Sequence, residues 1–182
     1  MRVLNTAFAA LLAGTAGAAL LPSYITANNS PSPTDTAFIN RAIQKVNAIR
    51  AEYNAPDLVW SAEIAQVALK KSNGCILNHT GDYGENAYTW WTIPPSTKPD
   101  FAYQVENAFG EWASPEEIQA YRNGDLLGGG HFTQTVWKAS RRMGCAFSTD
   151  RCKNNDDQEW WFYCDFDPPG NVLGAYEENV QL

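Results

Sequence analysis

The chain has 182 residues, 45% of them hydrophobic and 18% charged, so it can bury one substantial core and is neither collagen-like nor wholly disordered. Thirteen Lys and Arg against twenty Asp and Glu give a net charge of −7, which argues against binding the phosphate backbone of a nucleic acid. Four Cys fit two disulfides, and the chain combines only two His with seven Trp.

Residues 1–18 read as a secretory signal peptide. Met1-Arg2 is the basic start, Val3 to Leu12 is apolar, and small residues follow, with Ala16-Gly17-Ala18 as a cleavage site. The apolar run is interrupted by small residues and ends at Pro22, so no transmembrane anchor is expected. Export places the cysteines in an oxidising, extracellular compartment. Residues 19–36, and above all Ala27 to Thr36, read as a disordered lead-in to one domain over 37–182.

Within that domain, Phe38, Ala42, Ile43, Val46, Ile49 and Tyr53 recur at helical spacing, predicting a helix over 37–53 capped by Asp35 or Thr36. Ser61 caps a second helix that Asn73-Gly74 stops. Tyr83, Tyr88, Trp90 and Trp91 crowd one stretch that runs into Thr92-Ile93-Pro94-Pro95-Ser96. That pattern predicts a proline-rich loop whose aromatics either cover a sheet as ordinary core or bind a ligand. Asp100 caps a third helix, with Phe101, Val105, Ala108 and Trp112 on one face, and Pro115 starts a short fourth.

The last third is rich in aromatic and β-branched residues. Strands are predicted over Phe132–Trp137, Met143–Ser148 and Glu159–Asp165, with a turn-prone stretch from Asp150 to Asp157. Alternation along the last of these sends Trp160 and Phe162 to one face, Trp161 and Tyr163 to the other. Helices first and strands later imply an α+β fold with a helix-covered antiparallel sheet.

Two segments stand apart: Gly130-His131-Phe132-Thr133-Gln134-Thr135-Val136-Trp137 and Tyr163-Cys164-Asp165-Phe166-Asp167-Pro168-Pro169-Gly170-Asn171. With His79-Thr80-Gly81-Asp82-Tyr83-Gly84-Glu85-Asn86 upstream, and Val46–Arg50 and Leu58–Trp60 before it, they resemble the motifs of the CAP superfamily. That superfamily comprises cysteine-rich secretory proteins, venom antigens and plant pathogenesis-related class-1 proteins, and this chain is similar to a fungal-type member. The likeness spans about residues 38–180 and implies a three-layer α-β-α sandwich around a central antiparallel sheet.

The resemblance implies a cavity holding two His and two Glu. His79 and His131 match the histidines and Glu85 the first glutamate. For the second, Glu117 fits best, as if two residues were inserted after Trp112; Glu116 and Glu111 are the alternatives. His79 and His131 are candidate ligands for a divalent ion such as zinc. A metal-dependent hydrolase or protease is one reading, with a metal-bound water and a Glu as base; a structural hydrogen-bond cluster is the other.

The resemblance pairs Cys75 with Cys152 and Cys145 with Cys164, and a third bridge of the plant proteins is absent. Fungal relatives bind sterols through an aromatic loop after the Gly-Glu-Asn segment, and others bind fatty acids between helices. Tyr83, Tyr88, Trp90 and Trp91 are accordingly the candidate lipid-binding residues, with sterol or fatty acid as partner. Further expectations are a role in host–microbe contact, defence or virulence, engagement of a host receptor, and release of the tail from Pro168 as a signalling peptide. Sequons occur at Asn28 and Asn78, the latter beside His79.

Overall fold

A computed structural model describes residues 30–182 except 78, 80, 93–96, 98, 155 and 156, and leaves out the side chains of 153–158. The expected signal peptide, most of the lead-in, both sequon asparagines and the Pro94-Pro95 segment lie outside the described residues.

The first four helices form where the caps predict them. Asp35 accepts from the Phe38 amide and starts α1 (Thr36–Glu52), which buries Phe38, Ala42, Val46 and Ile49. The turn before it belongs to the folded unit, because Asp35 N donates to Ser32 O and Pro33 is buried. Ser61 accepts from Ile64 N and starts α2 (Ala62–Gly74), which ends on Cys75 in the left-handed region at φ 55°. Asp100 caps α3 (Phe101–Trp112), and Ser114 caps α4 (Pro115–Arg122) with Pro115 in its first turn.

Two stretches differ from expectation. Phe132–Trp137 is not a strand: α5 occupies Gly130–Thr135. Thr135 Oγ1 donates back to His131 O within the helix and Thr133 Oγ1 donates to Asn171 Oδ1 beyond it, so β-branched composition misleads here. The expected aromatic loop is largely a strand, β2 (Gly84–Trp91), paired antiparallel with β5 (Asp157–Asp167).

The sheet runs β1-β3-β5-β2, with β1 at Val59–Trp60 and β3 at Arg142–Phe147; β4 (Cys152–Asn154) also pairs with β5. All pairings are antiparallel except β1 with β3, so the central sheet is mixed at one edge. A last short helix, α6 (Tyr176–Asn179), docks the tail: Lys138 N donates to Asn179 O, and Tyr176 packs on Tyr121 and Trp137.

Alternation along β5 divides two cores, as predicted. Trp160 and Phe162 join α1 and α3 in the larger one; Trp161 and Tyr163 face α2 with Ala68 and Ala146. The result is an α-β-α sandwich. Both disulfides form as the resemblance pairs them. Cys145–Cys164 staples β3 to β5 at directly opposed positions, and Cys75–Cys152 ties the end of α2 to β4. The indole of Trp112 donates to Ala87 O on the edge strand β2, 3.2 Å away.

Gly110 lies within α3, exposed, and a Cβ there would meet nothing within 4 Å. Gly110→Ala is therefore expected to raise stability by about 0.5–1 kcal/mol in chemical denaturation, by restricting the unfolded chain.

Candidate functional site

The edge strand β2 organises the site, with consecutive side chains of Gly84-Glu85-Asn86 serving opposite faces. Gly84 leaves room for Gln134: a Cβ there would collide with that side chain. Asn86 Nδ2 donates to His131 O (3.0 Å) and to Thr135 Oγ1 (3.1 Å), fastening α5 to the strand. Glu85 points to the α2 side, where its Oε2 lies 2.9 Å from His79 Nδ1 and its Oε1 accepts from Lys71 Nζ at 2.6 Å.

On the other side, His131 Nδ1 lies 2.7 Å from Glu117 Oε1. Of the three candidate glutamates, the structure thus brings Glu117 to the histidine. The residues after Trp112 end α3 and let Ser114 start α4, so Glu117 falls three residues past the cap, with its amide held by Ser114 Oγ. Its second oxygen accepts from Phe132 N at the start of α5. Glu111 and Glu116 are exposed and line the same cleft of about 550 Å³, with Trp112 and Tyr88 as its aromatic walls. The Trp112 and His131 rings lie parallel within 23°, centroids 6.3 Å apart.

The four expected cavity residues therefore occupy two His–Glu pairs. Among the described residues no group of three or more His, Cys, Asp or Glu is placed to hold a metal ion. His79 and His131 each spend Nδ1 on a glutamate, and Lys71 brings a positive charge to Glu85. A carboxylate on Nδ1 is the usual orienting partner of a ligating imidazole, so His79 and His131 would hold a divalent ion through Nε2. Neither imidazole hydrogen-bonds a serine, threonine or cysteine among the described residues.

Much of the second signature segment is a clasp. Asn171, at φ 57°, accepts from Thr133 Oγ1 (2.6 Å) and donates to Gly130 O, while Gly170 N donates to Gln134 Oε1. The tail expected as a released signal is held by these bonds and by α6.

The aromatic candidates separate. Trp90 is 7% exposed, stacks between Tyr88 and Trp160, and is core; its assignment to a lipid-binding loop is corrected by its inward position on β2. Tyr88 is half-buried, its hydroxyl accepting from Asn107 Nδ2 at 2.6 Å, and burial raises its phenol above the usual range. Tyr83 lies beneath the Lys71 ammonium, 5.7 Å from the ring centroid. Trp91 alone of the four is exposed, at 63%. It stands opposite Glu159, which stands opposite Cys152, the partner of Cys75. Ile76 (68% exposed) and Leu77 (59%) also project from the segment that follows α2. Ile76 and Leu77 escaped the sequence reading, as did Lys71 and Asp165, which join Glu85 only through tertiary structure.

No described helix is long and apolar enough to cross a membrane. The chain is a three-layer α-β-α domain with a His–Glu pair on either side of its edge strand, and its two disulfides fit an extracellular protein. The profile of the cysteine-rich secretory protein (CAP) family matches residues 43–166, and the chain belongs to that family. It is 30% identical over 168 residues to the fruiting body protein SC14 of Schizophyllum commune, covering 87% of this chain and 75% of that one. The secreted protein RBT4 of Candida albicans is 31% identical over 85% of this chain, which spans 43% of it. The pathogenesis-related protein PR-1 of Medicago truncatula is 30% identical, covering 80% and 82%. Among solved structures, Na-ASP-1 superposes with a TM-score of 0.61 at 19% identity, over 80% of this chain and 44% of that one. NaASP2 with Zn2+ gives 0.57 at 18%, over 77% and 84%.

Proposed function

We infer that this is an extracellular, non-enzymatic protein that binds a lipid, a sterol or a fatty acid. The observation that carries the reading is the exposure of three large apolar side chains, Trp91, Ile76 and Leu77, where each such residue adds to an uncovered apolar surface. A soluble chain leaves such surface uncovered at a cost unless it meets an apolar partner. The removal of residues 1–18 as a signal, with secretion of the domain, fits two disulfides and a relative named as a secreted protein. A role in contact between organisms draws support from the pathogenesis-related relatives.

We place a fatty acid second, with a groove of about 540 Å³ along α1 as the place to test for its carboxylate. Arg41 and Lys45 line it, both paired with Glu106 at 3.2 and 3.3 Å, and would meet a carboxylate. The two surfaces separate by mutation. Trp91→Ala is expected to weaken sterol binding at least tenfold with an unchanged unfolding midpoint, measured by titration with a fluorescent sterol. Purified protein that carries no extractable lipid and binds neither sterol nor fatty acid would remove the reading, as would a Trp91→Ala variant that binds like the wild type.

A further inference from the structure

Glu85 of β2 and Asp165 of β5 stand directly opposite each other on the α2 face, their side chains 1% and 0% exposed. Lys71, in the last turn of α2 and 11% exposed, reaches both, 2.6 Å from Glu85 Oε1 and 2.8 Å from Asp165 Oδ1. His79 approaches from the following segment through Glu85 Oε2. These are the charged and titratable groups that act on Asp165; β3 places only Gly144 opposite it, and Tyr83 offers its ring to Lys71.

Two carboxylates thus share one ammonium where water is excluded, and of the two it is Glu85 that His79 also meets, so Asp165 has the weaker share of cation. Uncompensated buried charge is costly. The second oxygen of Asp165, Oδ2, is buried and has no hydrogen-bond partner among the described residues. Lys71 already lies between the two carboxylates, and among the described residues they gather no third donor for a metal ion, so a proton is the cation that fits.

We propose that Asp165, Glu85 and Lys71 form a buried proton-uptake site. One proton enters at Asp165 Oδ2 in mildly acidic surroundings and makes the fold more stable there than at neutral pH. Burial pushes the Asp165 carboxyl up from 3.8 to about 6, against the opposing pull of Lys71. The folded chain then holds more protons than the unfolded chain between those values. The resulting stabilisation is complete below 3.8 and is lost as pH rises through about 6. Because Lys71 ends α2, the site also tightens the attachment of the Cys75–His79 segment. The inference is independent of which ligand the protein binds.

Asp165→Asn keeps the shape and an acceptor for Lys71 without the charge. Urea unfolding of wild type and variant from pH 7.5 to 4.5 tests the site. The expected result is a higher midpoint for Asp165→Asn at pH 7.5, with the gap closing as pH falls because the wild type gains. A gap of constant size, or a variant less stable than wild type at pH 7.5, overturns the proposal. Carbon-13 titration of the Asp165 carboxyl in the native wild type decides the matter even if the variant fails to fold. A midpoint near 6 supports the site, and one in the ordinary carboxylate range overturns it.

Discussion

Replacing Arg50 with alanine is expected to lower stability by on the order of 3–5 kcal/mol, measured by chemical denaturation. Arg50 is fully buried and projects from α1 into the junction of α1, α5 and β3. Its guanidinium donates to four backbone carbonyls: Pro56, Thr135, Trp137 and Ser140, at 2.7–3.1 Å. No carboxylate is among these partners, so the charge is solvated by the chain's own peptide dipoles. Burial, with Arg141 nearby, lowers its pKa to about 10, which keeps it charged at any physiological pH. Truncation would leave four carbonyls without their donor and a void where the side chain ran. Arg50→Lys, with a single ammonium in place of a five-donor fork, is expected to recover only part of the loss. A loss below about 1 kcal/mol for Arg50→Ala would show that other donors replace it.

Gly144→Ala is expected to be as damaging, by on the order of 3 kcal/mol or more, seen as a lowered melting temperature or a failure to accumulate. Gly144 sits in β3 under α2, where an added Cβ would lie 2.6 Å from Ile64 C and 2.7 Å from Ala65 Cα, closer still to the Ala65 amide. These are backbone atoms, so no rotamer change relieves the clash, and α2 must lift from the sheet. The same helix carries Lys71 and leads into Cys75, so a displacement propagates to Glu85 and His79. A melting temperature like that of wild type would mean that α2 shifts at little cost.

The difference between what could and could not be read in the sequence follows the range of the interactions. Asp35, Ser61 and Asp100 act within a turn of their own helices and Pro115 opens the fourth, so four helices announce themselves locally. The division of Trp160 and Phe162 from Trp161 and Tyr163 is likewise a property of consecutive residues. In contrast, α5 resembles a strand in composition, and the bonds that let its threonines sit in a helix, Thr135 to His131 O and Thr133 to the distant Asn171, are invisible without coordinates. Strand β2 hides behind its aromatics and the prolines that follow. At the site, the motif resemblance singled out His79, Glu85 and His131, and the cap at Ser114 explains why Glu117 rather than Glu116 meets His131. Lys71 and Asp165 remained without a role because they reach Glu85 from 14 residues away and across the register of β2 and β5.

The indole bond from Trp112 to Ala87 O has an implication for how copies of this protein coexist. β2 is the last strand of its sheet, and an uncovered last strand is a template onto which another chain can zip. With a tryptophan fixed to its backbone midway, the strand offers an interrupted template. A second chain pairing along β2 would have to displace that indole at Ala87, which disfavours addition at this edge.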